Sequence, residues 1–192
     1  MTNLNFIYSE LTLAFSIMLL LIIGVFKKKS SSLIYNLSIL TLLIIFILSL
    51  SLFGKNSTSL FINSYKIDYL STFMKGLLYL SGIFVMLSST RYLILFQIFK
   101  IEYPILLLSS ILGMSIMISS NDLIVFYMGL ELQSLALYVL ASFKRESSLS
   151  AESGLKYFVL SALSSGLLLY GCSLIYGYAG STNFDIISRN IN

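Results

Sequence analysis

The sequence contains no histidine and only one cysteine. Cys172 has no second cysteine with which to form an internal disulfide, and its position in an apolar segment suits a small packing residue. Because histidine is absent and the acidic residues are dispersed along the chain, the sequence offers no ligand set for a transition metal or a haem. We therefore expect no metal and no cofactor bound to this chain.

Nucleotide-binding and nucleic-acid-binding signals are also missing. The chain has no glycine-rich phosphate loop and no dinucleotide fingerprint, so any redox or nucleotide chemistry must be carried out by partner chains. It has no basic stripe or aromatic stacking platform, and we expect no nucleic-acid partner. The net charge of +4 comes from Lys and Arg in the connections between apolar runs, where it bears on membrane orientation.

Charge of either sign is scarce. Of the 192 residues, 57% are hydrophobic and 10% are charged, and the mean hydropathy is +0.93, whereas soluble domains carry about 25% charged residues. The apolar runs are long, while a β-barrel would show alternating segments of about ten residues. The sequence therefore predicts an all-α fold, a polytopic membrane helix bundle with about six transmembrane helices. The first run is too long for a secretory signal and lacks its basic start and cleavage site.

Polar ends and helix-capping residues delimit the spans. Pro104 suits the first turn of a helix, where its missing N–H is no loss, and Asn121 is a candidate N-cap for the fifth helix. The six spans are predicted at Tyr8 to Phe26, Leu33 to Phe53, Leu70 to Ser89, Pro104 to Ser119 or Ser120, Asp122 to Phe143, and Glu152 to Tyr178.

The connections are short and polar. Residues 59–69 alternate in a way that predicts a short hairpin at the membrane surface, residues 91–102 form a connector, and residues 181–192 form an interfacial helix or a loop. The chain is therefore predicted to consist of two parts. Residues 1–103 form three N-terminal helices with their connectors, and residues 104–192 form helices four to six and the polar tail.

Lys and Arg are unevenly divided between the two sides of the membrane. By the positive-inside rule, the side with more of them is the inner one, which places both termini outside. Seven lie after helices one, three and five (Lys27, Lys28, Lys29, Arg91, Lys100, Lys144, Arg145), and four lie on the opposite side (Lys55, Lys66, Lys75, Arg189).

One carboxylate, Glu131, lies near the middle of the fifth apolar run. A charged residue at a helix centre costs about 2.5 to 3.5 kcal/mol on insertion scales, so Glu131 should face protein or water and carry a function. Two phenols and a hydroxyl lie at helical spacing from it, on Tyr127, Tyr138 and Ser134. Such a face can stabilise either protonation state, as a proton relay requires. The alternative is a structural polar residue that holds helices together.

Lys156 is the candidate cation for Glu131. It lies four residues into the predicted sixth helix, roughly 6 Å along the axis. Its side chain can extend to the inner interface, or inward to meet Glu131 through a water. Two other charges within spans are interpreted as structural: Glu10 lies near a helix N-terminus, which suits the helix dipole, and Lys75 is expected to extend to the membrane surface.

The sixth apolar run is rich in small residues. Their spacing lets helix backbones approach closely, so we expect this helix to lie inside a bundle. They are Ser161, Ala162, Ser165, Gly166, Gly171 and Ser173.

From about Ile105 to Ile186 the sequence resembles the antiporter-like membrane subunits of respiratory complex I, and within them subunit 2 of mitochondria, the counterpart of bacterial subunit N. The segment GLELQSL carries Glu131 and AESGLKYFVL carries Lys156. The resemblance implies that both residues take part in proton translocation coupled to the reduction of ubiquinone by NADH. It also implies other membrane-arm subunits as partners, membrane lipids around the chain, and NADH, FMN, iron–sulfur clusters and ubiquinone bound by other subunits.

The chain departs from that family after its sixth helix. Members carry a broken seventh helix with a further lysine and a second, inverted repeat, and sites in such transporters lie between repeats. We expect either a split subunit whose remaining helices are supplied by another chain, or a largely structural one. Two further alternatives are a multisubunit cation/proton antiporter component and a non-catalytic membrane scaffold. The tail is rich in Phe, Ile, Tyr, Ser and Asn, which indicates an AT-rich organelle genome and favours the mitochondrial inner membrane over a bacterial plasma membrane.

Overall fold

The computed structural model describes residues 7–26, 31–51, 58–96 and 98–191. Within these residues six helices are long and apolar enough to cross a membrane. The predicted all-α membrane bundle is confirmed. The elements are α1 (Tyr8–Phe26), α2 (Ser31–Ser51), β1 (Thr58–Leu60), β2 (Tyr65–Ile67), α3 (Tyr69–Leu95), α4 (Glu102–Ser119), α5 (Leu123–Ala141), α6 (Ser148–Ala179) and α7 (Phe184–Ile191).

The bundle is built around α4. Half of the most apolar stretch of α4 is buried, whereas none of that of α6 is. Helix α4 packs against α1, α3 and α5, while α6 contacts α5 at the edge. The apolar core fills the space between the first four helices and contains Leu13, Leu20, Ile34, Tyr35, Leu42, Ile45, Tyr79, Met86, Leu93, Ile105, Leu107, Leu108 and Ile111.

The predicted hairpin between α2 and α3 is confirmed. Strands β1 and β2 pair antiparallel, with Thr58 opposite Ile67. Three successive turn residues, Phe61, Ile62 and Asn63, have φ values of 50°, 56° and 66°, a left-handed conformation that L-residues adopt at a cost. Residues outside the hairpin stabilise this turn. The carbonyl oxygen of Asn63 accepts hydrogen bonds from the side chains of Asn121 and Asn183, each at 2.9 Å. The hairpin is therefore docked on the ends of other elements.

Several helix boundaries differ from the predictions. The prediction that residues 91–95 form a connector is wrong, because α3 continues through the apolar segment RYLIL, which contains no glycine or proline. Helix α4 begins two residues before Pro104, which still lies among the first residues, whose N–H groups have no helical partner. Helix α2 begins at Ser31, and the predicted end at Phe53 lies outside the described residues.

Caps decide the starts of α5 and α6. The prediction of Asn121 as the N-cap of α5 is wrong: Asp122 is the cap, and its side chain accepts a hydrogen bond from the backbone N–H of Ile124 at 2.9 Å. Helix α6 begins at Ser148, earlier than the predicted Glu152, because Ser147 caps it. The polar tail forms the short helix α7.

Candidate functional site

Glu131 lies half-buried in the middle of α5, on the side that faces α6. The phenol of Tyr127, one turn earlier, has Glu131 as a polar neighbour together with Ser165 and Cys172 of α6. Ser134 donates its hydroxyl hydrogen to the backbone carbonyl of Glu131 at 3.0 Å, so this bond does not involve the carboxylate. The residues predicted to surround Glu131 thus have different roles, and Tyr127 is the one beside the carboxylate.

Tyr138 is buried between α5 and α6. Its ring makes edge-on contacts with Tyr157, at 5.0 Å between centroids, and with Phe158, at 5.6 Å. Such edge-to-face pairs stabilise packing. These contacts fix the relative height of the two helices, and the supporting role of Tyr138 toward Glu131 stays a prediction.

Lys156 pairs with Glu152 on its own helix, with 2.6 Å between Nζ and Oε1 and with both side chains more than half exposed. Because α6 starts at Ser148, Lys156 lies eight residues into the helix, not four. The Tyr138 contact with Tyr157 puts Lys156 about level with Val139, which is eight residues, or about 12 Å, from Glu131 along α5. In the described part of the chain no ion pair joins Glu131 to Lys156. A link between them requires a water or a Lys156 side chain directed inward, and the pairing of Glu131 with Lys156 stays a prediction.

The N-terminus of α5 is tied to the exit of α6. The second carboxylate oxygen of Asp122 accepts a hydrogen bond from the hydroxyl of Thr182 at 2.6 Å, and the backbone N–H of Leu123 donates to the carbonyl of Thr182 at 3.0 Å. Asp185 accepts hydrogen bonds from the side-chain amides of Asn63 at 2.7 Å and Asn121 at 2.9 Å. These hydrogen bonds lower the pKa of Asp185. One end of the bundle is thus fixed by a continuous polar network.

A second charged site, which was not predicted from the sequence, lies between α1 and α3. Lys75 of α3 and Glu10 of α1 form an ion pair with 2.5 Å between Nζ and Oε1, and their side chains are only 4% and 8% exposed. The prediction that Lys75 extends to the membrane surface is therefore wrong. Tyr65 of β2 donates its hydroxyl hydrogen to Glu10 at 2.9 Å and accepts one from Lys75 at 3.1 Å.

A sequence signal for this pair exists. Glu10 and Lys75 are opposite charges within apolar runs, and both lie near the ends of spans on the same predicted side of the membrane. Pairing is the usual way in which such charges are accommodated. A metal site is not indicated in the described ranges, where no three His, Cys, Asp or Glu residues cluster.

The comparisons with known proteins agree with this architecture. Residues 120–192 match the protein family described as "NADH:quinone oxidoreductase/Mrp antiporter, TM". The NADH-quinone oxidoreductase subunit N of Pelagibacter ubique is 62% identical over 192 residues, which are 100% of this chain and 41% of that protein. The subunit N of Maricaulis maris is 55% identical over 125 residues, 65% of this chain and 26% of that protein.

A chain in the solved structure of respiratory complex I from Thermus thermophilus with bound aureothin has the same fold. Its TM-score is 0.78 at 26% identity, and the match covers 91% of this chain and 38% of that chain. The chain described here spans about two fifths of the length of these relatives or less. The resemblance to the N-terminal six-helix portion of subunit N is confirmed.

Proposed function

We propose that this chain, which is similar throughout its length to part of subunit N, is a proton-translocating membrane-arm component of an NADH-quinone oxidoreductase. The observation that carries the proposal is Glu131: a carboxylate half-buried in the middle of a membrane-spanning helix, beside a phenol and facing a neighbouring helix. An ionisable group at that depth is costly and is usually retained for function. The reduction of quinone belongs to other subunits of the enzyme.

The chemistry proposed for Glu131 is the uptake and release of a proton. An approaching positive charge favours the carboxylate, and its departure favours the neutral acid. The hydroxyl of Tyr127 can donate to the carboxylate, and when Glu131 is protonated its oxygen can accept the new O–H. Lys156 provides the cation nearer the end of α6, about 12 Å from Glu131 along the helix axis, and water can complete the link between their side chains.

The exposed face of α6 supports a proposal about partners. A Cβ atom added to Gly166, Gly171 or Gly177 would meet no atom of the described residues within 4 Å. Small residues in membrane helices usually serve close helix packing. We propose that further helices of the antiporter-like fold pack on α6. A separate polypeptide that supplies them, as the sequence analysis predicts, is one source, and a continuation of the same polypeptide is the other. The masses of the co-purifying chains distinguish the two.

The proposed surroundings follow from the same assignment. Other membrane-arm subunits and lipids surround the chain, and NADH, FMN, iron–sulfur clusters and ubiquinone are bound by other subunits. Both termini lie on the outer side of the membrane. The mitochondrial inner membrane stays a prediction; a bacterial plasma membrane is the alternative, and the bacterial sources of the relatives support it.

The experiment that tests the proposal is the substitution Glu131→Gln in the membrane complex. We expect normal assembly on a native gel but fewer protons pumped per NADH oxidised, because glutamine keeps the shape and hydrogen-bonding capacity of glutamate without its titration. Glu146→Gln, which removes an exposed carboxylate outside the spans, is the matched control and should leave pumping unchanged. Normal pumping by an assembled Glu131→Gln complex would refute the role and favour a membrane scaffold.

A second candidate function is a component of a cation/proton antiporter, because the matched family description includes the Mrp antiporter. The two functions differ in their energy source. Pumping that requires NADH supports the oxidoreductase, whereas cation-driven proton exchange without NADH supports the antiporter.

A further inference from the structure

The buried site at Glu10 and Lys75 lies apart from the Glu131 region and brings together four elements. Glu10 comes from α1, Tyr65 from β2 and Lys75 from α3, and the hydroxyl of Ser9 donates to the second oxygen of the Glu10 carboxylate at 2.8 Å. The fourth element, α4, contributes Ser119, whose hydroxyl is a polar neighbour of Tyr65. All five residues are less than a tenth exposed.

Two hydroxyl groups in this cluster are buried without a hydrogen-bond partner in the described part of the chain, those of Tyr79 and Ser119. Tyr79 lies one turn beyond Lys75 on the same face of α3, with Glu10, Ser9 and Ser115 as its polar neighbours. Buried polar groups are nearly always paired, and an unpaired one carries a desolvation cost. The cluster therefore holds more hydrogen-bonding capacity than the ion pair uses.

A purely structural role explains the cluster poorly. Replacing a buried ion pair with apolar residues of similar size is often neutral or stabilising, so an ion pair is a weak way to join α1 and α3. The apolar neighbours that would allow such a replacement are abundant in this chain. An ion pair with unused hydroxyl groups beside it instead fits a site whose charge state changes.

Tyr65 has the properties of a hydrogen-bond bridge in such a site. Burial, and next the negative charge of Glu10, raise the pKa of Tyr65, so its phenol stays protonated. It can then donate to Glu10 and accept from Lys75 at the same time, as the two distances show. Tyr65 belongs to the hairpin between α2 and α3 and not to a membrane-spanning helix, so it links the buried pair to a segment outside the spans.

We propose that Glu10, Lys75 and Tyr65 form a second proton-carrying site in this chain, separate from Glu131. This inference rests on the proposed function in proton translocation. A proton from the aqueous side forms an O–H bond at the carboxylate of Glu10, which neutralises Glu10 and leaves the ammonium of Lys75 charged. The hydroxyl oxygens of Tyr79 and Ser119 are acceptors available to that ammonium or to water. When the O–H bond breaks and the proton passes to a water molecule, the Glu10 carboxylate is restored and the ion pair with Lys75 forms again.

Each element that packs around this site contributes ionisable or hydroxyl groups to it. Among the described residues, α1 contributes Glu10, β2 contributes Tyr65, and α3 contributes Lys75 and Tyr79, while α4 contributes the hydroxyls of Ser115 and Ser119. Tyrosine loses its proton only near pH 10 even when unperturbed. Glu10 and Lys75 are therefore the groups whose charges can change.

The test is the double variant Glu10→Gln/Lys75→Met in the whole membrane complex. It removes both charges together, so no uncompensated charge is left in the interior. We expect an assembled complex that oxidises NADH but pumps fewer protons per NADH. Lys66→Gln/Asp68→Asn is the matched control, because it removes a half-exposed ion pair of 3.5 Å from the same surface region, and it should leave pumping unchanged.

The outcomes separate this inference from the proposed function. If Glu131→Gln lowers pumping and the assembled double variant pumps normally, the second site is refuted and the pair is structural. If Glu131→Gln is also silent, the proposed function itself fails. If the double variant does not assemble, Tyr65→Phe decides, because it removes only the bridging hydroxyl: a loss of pumping with normal assembly supports the site, and unchanged pumping overturns it.

Discussion

Gly113 of α4 and Gly129 of α5 face each other where the two helix backbones are in contact. A Cβ atom added to Gly113 would lie 2.7 Å from the carbonyl oxygen of Gly129, and one added to Gly129 would lie 2.9 Å from the carbonyl oxygen of Gly113. Only glycine permits this approach, and it is the tight helix packing that small residues allow in membranes. Gly129 is two residues from Glu131, so this contact fixes the carboxylate relative to the most buried helix.

Changing Gly129 to alanine should therefore destabilise the bundle. The added methyl group meets the carbonyl oxygen of Gly113 and the Met117 backbone, and overpacking typically costs about 1 to 3 kcal/mol. Thermal unfolding in detergent measures the loss. Gly76→Ala is the control, because its nearest neighbour, the hydroxyl of Ser49, lies at 3.9 Å, an ordinary contact. Equal stability of the two variants would contradict the close contact.

The cap of α5 yields a second prediction. Asp122→Ala removes both the cap to Ile124 and the bond from Thr182, and the loss of an N-cap costs about 0.5 to 2 kcal/mol. Thr182→Val removes the Thr182 bond but keeps the cap, so it should cost less. Unfolding measured for both variants in the same detergent checks the order, and a larger loss for Thr182→Val would show that the cap contributes little.

The hydrogen bonds of Asp185 lead us to expect that the attachment of α7 to the rest of the bundle depends on pH. Its pKa lies below the ordinary 3.8 because Asn121 and Asn63 donate hydrogen bonds to the carboxylate. A carboxylate with a lowered pKa stabilises the folded form fully above its ordinary pKa, and the contribution is lost as the pH falls through the lowered value. Attachment should thus be intact near neutral pH and weaken only below about pH 4.

A spin label on α7 measures this attachment. With Cys172 replaced by serine and a labelled cysteine at the exposed position of Ser188, the mobility of the label should rise on acidification below about pH 4. Asp185→Asn should abolish the pH dependence, because the amide does not titrate. A transition that persists in this variant would assign it to another group.

Lys156 can be tested apart from its helical partner. If Lys156 acts with Glu131 through water, Lys156→Met should lower proton pumping, whereas Glu152→Gln, which removes only the exposed pair at 2.6 Å, should leave it unchanged. Exposed pairs within one helix contribute only about 0.3 to 0.5 kcal/mol, so neither change should prevent assembly. Unchanged pumping in the Lys156→Met complex would make Lys156 a surface lysine that carries no function in translocation.

The sequence by itself determined the number and type of the membrane helices. Long apolar runs interrupted by charges have one physical solution in lipid, because helices satisfy their own backbone hydrogen bonds. The first helix, Tyr8–Phe26, was predicted at both ends, and the surface hairpin was predicted by its alternation. The depth of Glu131 followed in the same way, from its position in an apolar run.

Only the tertiary structure decided which charges meet. Lys75 lies near a helix start, where a long side chain usually reaches the interface, but the hairpin folds over it and α1 brings Glu10 to within 2.5 Å. Lys156 was the candidate cation for Glu131. The register of α5 and α6 places it about 12 Å from Glu131 along the helix axis. The pairing of charged side chains depends on the register between helices and on which segment covers a helix end. The spacing of residues along one helix determines neither.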